Sequence, residues 1–463
     1  MKKVIIFVFC VLLAVFGCGI PAARAEAAYN SLLSGALELH SDVVLLANVE
    51  GTDGVTVIYD KNSNVRTAPA SLAKIITAMV VLENCADLSE LVSAPAAAIR
   101  LLDNTGSSTA GIAVGEELTV KELLYCLLVK SANEAATILA EHIAGSQEAF
   151  VEKMNASVAA LGCADTHMVN THGLDEPDQY TTARDMLRIT LHLMQNKTFA
   201  DITSHVSYTL RATNKTTTTR ELKSTNFVMN RAYKSYYQPD VTGVKTGSTT
   251  QAGLCVIAKA SRNGYTYYAV ILRGPQVRAR NGDSQNGAFL DCKNIMNWAF
   301  ENIRLVPVAD PLQIVTAVPV ALSRAADVLR LVPATEEFAL LPAGVGAGSV
   351  LLEAVADSLP KDLQAPVKKG TVLGKARVLY AGNEIAVLNL VAERDIPRDP
   401  LLYAGRMLRS ITSALLFRLI AAVLILMLLG YVLLVFYARK QKKKRRQLRV
   451  VNYRDVQNIK KRK

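Results

Sequence analysis

The chain has 463 residues, 51% of them apolar and 20% charged. That balance excludes a disordered polyelectrolyte and leaves room for two or three domains with cores of their own. Lys and Arg number 52 against 40 Asp and Glu, a formal charge of +12 that invites a nucleic-acid reading. Its distribution excludes that reading: Arg439–Lys463 holds 13 bases and one acid, Asp455, and the rest of the chain carries 39 of each sign. A basic block confined to a terminus points to membrane topology rather than to a nucleic-acid-binding face.

Met1-Lys2-Lys3, the apolar run Val4 to Phe16 and Ala23-Arg24-Ala25 have the three regions of a secretory signal peptide, with cleavage expected after Ala25. Val43 to Ala47 and Gly54 to Tyr59 read as strands around a Gly/Asp-rich turn. A helix is expected to begin at Pro69-Ala70-Ser71, because Leu72, Ile75, Ile76, Met79 and Val80 follow a helical stripe. Thr119 and Glu122 form a capping box ahead of Leu123, Leu124, Leu127 and Leu128. Further helices are expected over Glu134–Ile143, Gln147–Leu161 and Ala183–Met194. The period then changes: Gly253–Ala260 and Tyr265–Leu272 read as strands of a hairpin turning at Asn263-Gly264, with a helix following from Asn286 to Glu301. Strands on either side of a helix cluster predict an α+β domain, helices packed on an antiparallel sheet.

From Val306 to Ile396, short Val/Leu/Ala runs punctuated by Pro and Gly have the rhythm of a small all-β domain. Leu401–Phe417, with Arg406 and Arg409 among apolar residues, reads as a juxtamembrane segment on the membrane surface. Leu419–Ala438 is 20 uncharged residues, enough at 1.5 Å per residue to span the ~30 Å hydrocarbon layer. Three nearby bases precede it, Arg406, Arg409 and Arg418, against 13 after it, which puts the tail in the cytoplasm and Glu26–Arg418 outside. Beyond the leader there are five irregularly spaced cysteines, and neither a disulfide framework nor a zinc site is indicated.

Three motifs can carry chemistry. In Ser71-Leu72-Ala73-Lys74 an i, i+3 spacing brings an amine to a hydroxyl, and the first turn of a helix would lower the lysine pKa and leave the Ser71 N–H free for an anion. Ser131-Ala132-Asn133 lies in the break between two helices, where a hydroxyl can relay a proton and an amide can hold a substrate amide. Lys245-Thr246-Gly247, followed by Ser248, opens the sheet region; its lysine and hydroxyls can hold a carboxylate while Gly247 lets a substrate backbone approach. Alone, the first two motifs read equally well as helix caps or chance strings, and Lys245-Thr246-Gly247 is moderately specific.

Together they are specific. S-x-x-K, S-x-N and K-T-G in this order, separated by 60 and 114 residues, form the signature set of penicillin-binding proteins and serine β-lactamases. The segments around them, Pro69–Lys74, Thr166–Asp175 and Val241–Gly247, resemble the low-molecular-mass D-alanyl-D-alanine carboxypeptidases of the DacA/DacF type, peptidase family S11. Ala365–Gly370 is similar to that family's C-terminal β-domain.

The resemblance implies a β-lactamase/transpeptidase-like catalytic domain over 26–303, after a signal peptide at 1–25. A small β-sandwich domain over 304–398, an amphipathic segment at 399–418, a transmembrane helix at 419–438 and a basic tail at 439–463 complete the expected layout. It implies Ser71 as nucleophile, Lys74 as base, Ser131 and Lys245 as proton relays and Asn133 as an orienting group. Thr246, Gly247 and Ser248 are implied as substrate contacts, with the N–H groups of Ser71 and Ser248 as the oxyanion hole. No cofactor or metal is implied. The expected partners are peptidoglycan stem peptides ending in D-Ala-D-Ala, β-lactams as covalent inhibitors and the membrane, with no nucleic acid. An arginine that binds the substrate carboxylate is expected among Arg273, Arg278 and Arg280, and His172 and Asp175 are expected to shape the loop below the site. Three other readings compete, the first a D-Ala endopeptidase, since cleavage of cross-linked stems uses the same residues as hydrolysis of free ones. A β-lactamase needs a carboxylate after S-x-N, and Glu176, the only glutamate in the relevant stretch, lacks the E-x-x-L-N context of class A enzymes. A catalytically silent envelope protein is opposed by the intact trio of motifs.

Overall fold

The computed structural model describes residues 37–50, 54–103 and 105–460; the expected signal peptide lies outside them. The described residues fall into two compact units, one of those up to Ala309 with Glu337–Leu352 and Arg377–Val387, the other of Asp310–Glu336, Glu353–Ala376 and those from Leu388 on.

The first unit opens with the antiparallel pair β1 (Val43–Glu50) and β2 (Gly54–Lys61). A 3₁₀ turn, Ala70–Leu72, leads into α1 (Ala73–Asn84). Then come β3 (Leu91–Ser93), α2 (Ala96–Arg100) and β4 (Glu117–Thr119), with β3 and β4 paired. Helix α3 (Val120–Leu128) starts at the capping box of Thr119 and Glu122, whose side chains each bond the other's backbone N–H. Next follow α4 (Asn133–Ala144), α5 (Gln147–Ala160), α6 (Ala183–Leu193), α7 (Lys197–Thr203) and the short hairpin of β5 (Ser207–Leu210) with β6 (Arg220–Lys223). Strands β7 (Val241–Thr249), β8 (Gly253–Arg262) and β9 (Tyr265–Gly274) complete a five-stranded sheet of order β2-β1-β9-β8-β7. The β8–β9 turn places Asn263 and Gly264 at φ +52° and +87°, the left-handed pair that a two-residue hairpin favours. A small hairpin, β10 (Gln276–Arg278) with β11 (Ser284–Asn286), precedes α8 (Gly287–Asn302).

Alternation along β9 divides the sheet's two faces. Tyr268, Val270 and Leu272 join the core formed with the helices ahead of β7, while Tyr267 meets Phe300 of α8 edge-on, ring centroids 5.1 Å apart. Helix α1 departs from the amphipathic stripe read in its sequence: every residue from Ala73 to Val81 is buried. Its two polar residues there are bonded, Thr77 donating to the Thr171 carbonyl at 2.6 Å and Lys74 as described below. A helix buried on all sides can carry polar groups only where each finds a partner.

Beyond α8 the strands are β12 (Ile303–Ala309), β13 (Thr316–Ala321), β14 (Val328–Pro333), β15 (Glu337–Pro342), β16 (Val350–Ala354), β17 (Leu363–Gln364), β18 (Val372–Tyr380) and β19 (Asn383–Ala392). In the first unit β12 and β15 pair antiparallel. In the second, β14 pairs antiparallel with β13 and β19, and β17 runs parallel beside β13. Asp399 caps α9 (Pro400–Ser413), accepting from the N–H groups of Leu401 and Leu402. Helix α10 (Leu415–Lys460) follows, and its stretch Leu415–Arg445 is long and apolar enough to cross a membrane, with none of its most apolar window buried.

Candidate active site

The sequence pattern predicts Ser71 in the first turn of an α-helix; in the structure it sits in the 3₁₀ turn and the α-helix begins at Ala73. Close packing holds the turn in this form. A Cβ at Gly173 would stand 1.8 Å from the Ala70 carbonyl oxygen, and one at Gly247 would stand 2.9 Å from the Ala70 Cβ and 3.2 Å from the Ser71 nitrogen. Two glycines thus let the 172–175 loop and strand β7 close on the serine from different sides, and Ala70 takes φ +48° between them.

Lys74, one turn into the chain beyond Ser71, is fully buried; its Nζ donates to Ser71 Oγ at 2.9 Å and to the His172 carbonyl at 2.6 Å. A second lysine–serine pair faces this site from other elements. Lys245, on β7 and 1% exposed, donates to Ser131 Oγ at 2.8 Å and to the Thr246 carbonyl at 2.8 Å. Ser131 holds φ +64°, an uncommon state for a residue with a side chain, in the α3–α4 break. The next two N–H groups fix the break, Ala132 donating to the Cys126 carbonyl and Asn133 to that of Ser108, each at 2.9 Å. Among the described residues strand β7 is an edge strand, paired only with β8, so alternate backbone groups on its free side are available to a ligand strand. Thr246 shares a 2.6 Å hydroxyl contact with Thr225, and Ser248 is exposed at the end of the strand.

Burial pushes the Lys74 amine well below the usual lysine range; the Lys245 cation adds to the shift and Glu134 opposes it. Burial lowers Lys245 to about 7. Both amines therefore gain the neutral, proton-accepting form that an exposed lysine lacks near neutral pH. His172, lowered to about 3 by burial and by Lys74, is neutral there. Its Nδ1 accepts from the Leu174 N–H at 3.3 Å. Asp175 ties the same loop to the end of β7, accepting from Thr249 Oγ1 at 2.6 Å and from the Gln251 N–H at 3.1 Å.

The structure gathers Ser71, Lys74, Ser131, Asn133, Lys245, Thr246 and Gly247 around two hydroxyl–amine pairs. Glu176 is exposed on its loop. Arg273 lies 3.5 Å from Asp42, and Arg278 and Arg280 are exposed. Sequence reasoning missed Thr225 and Ser108, which steady Thr246 and the Asn133 N–H from distant segments. Neither stands in a motif, and only the tertiary fold brings them in.

An activated serine on a buried turn, a second serine–lysine pair and an open strand edge define a serine acyl-transfer enzyme of the α+β class. Residues 35–276 match the peptidase S11 model, D-alanyl-D-alanine carboxypeptidase, and residues 351–398 match penicillin-binding protein 5, C-terminal domain. The chain belongs to the S11 D-alanyl-D-alanine carboxypeptidase family of serine hydrolases. It is 29% identical over 342 residues to D-alanyl-D-alanine carboxypeptidase DacF of Bacillus subtilis, covering 74% of this chain and 83% of that one. Penicillin-binding protein 5 from Haemophilus influenzae is similar in structure, with TM-score 0.57, 26% identity and coverage of 78% of this chain and 99% of that one. The Streptomyces K15 DD-transpeptidase is also similar, with TM-score 0.51, 27% identity and coverage of 57% and 98%.

Proposed function

We propose that this chain removes the terminal D-alanine from peptidoglycan stem peptides ending in D-Ala-D-Ala through a Ser71 acyl-enzyme. The observation that carries the reading is the pair of buried contacts Lys74–Ser71 at 2.9 Å and Lys245–Ser131 at 2.8 Å. Neutral Lys74 takes the Ser71 proton as Oγ attacks the penultimate D-alanine carbonyl. The Ser71 and Ser248 N–H groups receive the developing oxyanion. Ser131, coupled to Lys245, protonates the leaving amine, and the C–N bond breaks to free D-alanine. Water then attacks the ester carbonyl, its proton leaving through the same amines, and Ser71 is restored. Asn133 orients the peptide, Thr246 binds the terminal carboxylate and Gly247 lets the peptide backbone lie along β7. A β-lactam acylates Ser71 by the same first step.

The proposed layout is a signal peptide at 1–25, a catalytic domain at 26–303, a β-domain at 304–398, an amphipathic segment at 399–418, a transmembrane helix at 419–438 and a cytoplasmic tail at 439–463. Supporting it are the apolar helix and the basic block that follows. The test is D-alanine release from a D-Ala-D-Ala peptide together with penicillin labelling. Wild type is expected to do both and Ser71→Ala neither; an unlabelled wild type, or a labelled Ser71→Ala, sinks the mechanism.

A further inference from the structure

Beyond its apolar window α10 continues without a break into the most basic stretch of the chain. Arg439, Lys440, Lys442, Lys443, Lys444 and Arg445 are six bases in seven residues, all exposed, with only Gln441 between them. At about 100° per residue they point toward roughly 0°, 100°, 300°, 40°, 140° and 240°, so no side of the helix lacks a base. They climb about 9 Å along the axis. The headgroup layer on either side of a ~30 Å hydrocarbon core is about 5–8 Å thick, and charge is felt for about 8 Å further at physiological salt. With the span at 419–438, all six bases stand within reach of the headgroups. Phe436 and Tyr437, 64% and 63% exposed, lie just inside them, at the level where interfacial aromatic residues anchor a span. Gln441 donates to the Tyr437 hydroxyl at 3.0 Å, tying the two levels together. The other end of the span differs: of the seven residues Thr412–Arg418 only Arg418 is charged.

We propose that residues 439–445 form a collar that gathers anionic phospholipids around α10 in one leaflet of the membrane. The proposal rests on the transmembrane reading of 419–438. Orientation across a membrane needs only a count of bases on each side; where those bases point is a separate property, and it selects the partner. A nucleic acid or an acidic protein docks on one face of an exposed helix and leaves the opposite bases in water. A lipid leaflet surrounds the helix that crosses it. Charge on every side, over a height close to that of the headgroup layer, fits the leaflet. Long Lys and Arg stems can lie along apolar surface while their charged ends stay in the polar layer, so the bases meet lipid phosphates without any movement of the helix. Anionic headgroups are held there by net charge, and zwitterionic ones are not.

The test places a reporter beside the collar, Phe436→Trp in the full chain, reconstituted from detergent into phosphatidylcholine vesicles. A minor share of the lipid is dibrominated phosphatidylglycerol in one sample and dibrominated phosphatidylcholine in the other, and bromine quenches the indole it touches. Trp298, the single native tryptophan, lies in α8 and gives a constant background. Quenching by the anionic lipid should correspond to a local enrichment of about threefold or more over the zwitterionic one, and should fall at high salt. Equal quenching by the two lipids overturns the collar and leaves the span standing; quenching by neither overturns the span and the collar with it. Two triple variants, each retaining the reporter, then read the geometry. One combines Arg439→Gln, Lys440→Gln and Lys443→Gln on one side of the helix, the other Lys442→Gln, Lys444→Gln and Arg445→Gln on the opposite side. Both should lower the enrichment alike, and all six substitutions together should lower it further. Loss confined to one triple variant is the result of a one-sided docking site and overturns the collar.

Discussion

Lys245 carries opposite costs for stability and for chemistry. Its folded pKa, about 7 against an ordinary 10.5, is lowered by burial. Between those values the unfolded chain binds a proton that the native state does not, so this residue's contribution to stability rises with pH from about 7 to about 10.5 and is flat outside that window. The unfolding free energy of wild type relative to Lys245→Met should accordingly increase across pH 7–10 by a few kcal/mol, on the order of 1.4 kcal/mol for each pH unit crossed. Denaturant unfolding at several pH values measures it; a difference that falls with pH would contradict the burial. Lys74 is the stricter test of chemistry. Lys74→Gln retains a polar group beside the His172 carbonyl but loses the base, so penicillin acylation should fall about 10²–10⁴-fold with the fold intact. Stopped-flow acylation together with circular dichroism separates the two effects.

The turn that presents Ser71 depends on two other elements reaching it closely. Gly173 stands at φ +90° with its missing Cβ 1.8 Å from backbone, whereas Gly145 stands at φ +78° with nothing within 4 Å. Gly173→Ala should therefore cost about 2–4 kcal/mol and slow acylation by displacing the turn, while Gly145→Ala should cost about 1 kcal/mol and leave acylation unchanged. Thermal unfolding and labelling of the pair check this, and equal behaviour would remove the crowding argument. The contrast also marks what could be read from sequence. Local signals located β1, β2, the α3 capping box, helices α4 to α6 and the Asn263-Gly264 hairpin to within a few residues. They missed β3 with β4, β5 with β6, α2 and α7, which are short and, for the strands, paired across intervening chain. They also started α1 too early, because crowding by Gly173 and Gly247 shapes the residues around Ser71. The three motifs are visible as strings; their convergence, with Thr225 and Ser108 in support, belongs to the tertiary fold.

At the scale of the molecule, one half of the chemistry of this sequence is held in cores and the other is displayed. Helix α9 buries no residue, and Leu401, Met407, Leu408 and Ile411 are all about half exposed or more, alongside Arg406 and Arg409. The apolar window of α10 is likewise unburied. Ending the chain at Asp399 therefore removes no core contact, and the shortened protein should stay in the supernatant and take penicillin at the full-length rate. Ending it at Ser413 instead keeps α9, whose apolar face and two arginines should bind vesicles containing anionic lipid weakly and reversibly, with binding reduced by salt because part of it is electrostatic. Vesicle sedimentation at low and high salt distinguishes three states: soluble to Asp399, peripheral to Ser413 and integral at full length. Salt-resistant binding of the chain ending at Ser413 would mean that the apolar face of α9 carries the binding without the arginines, and no binding at either salt concentration would end the proposed membrane-surface role of 399–418.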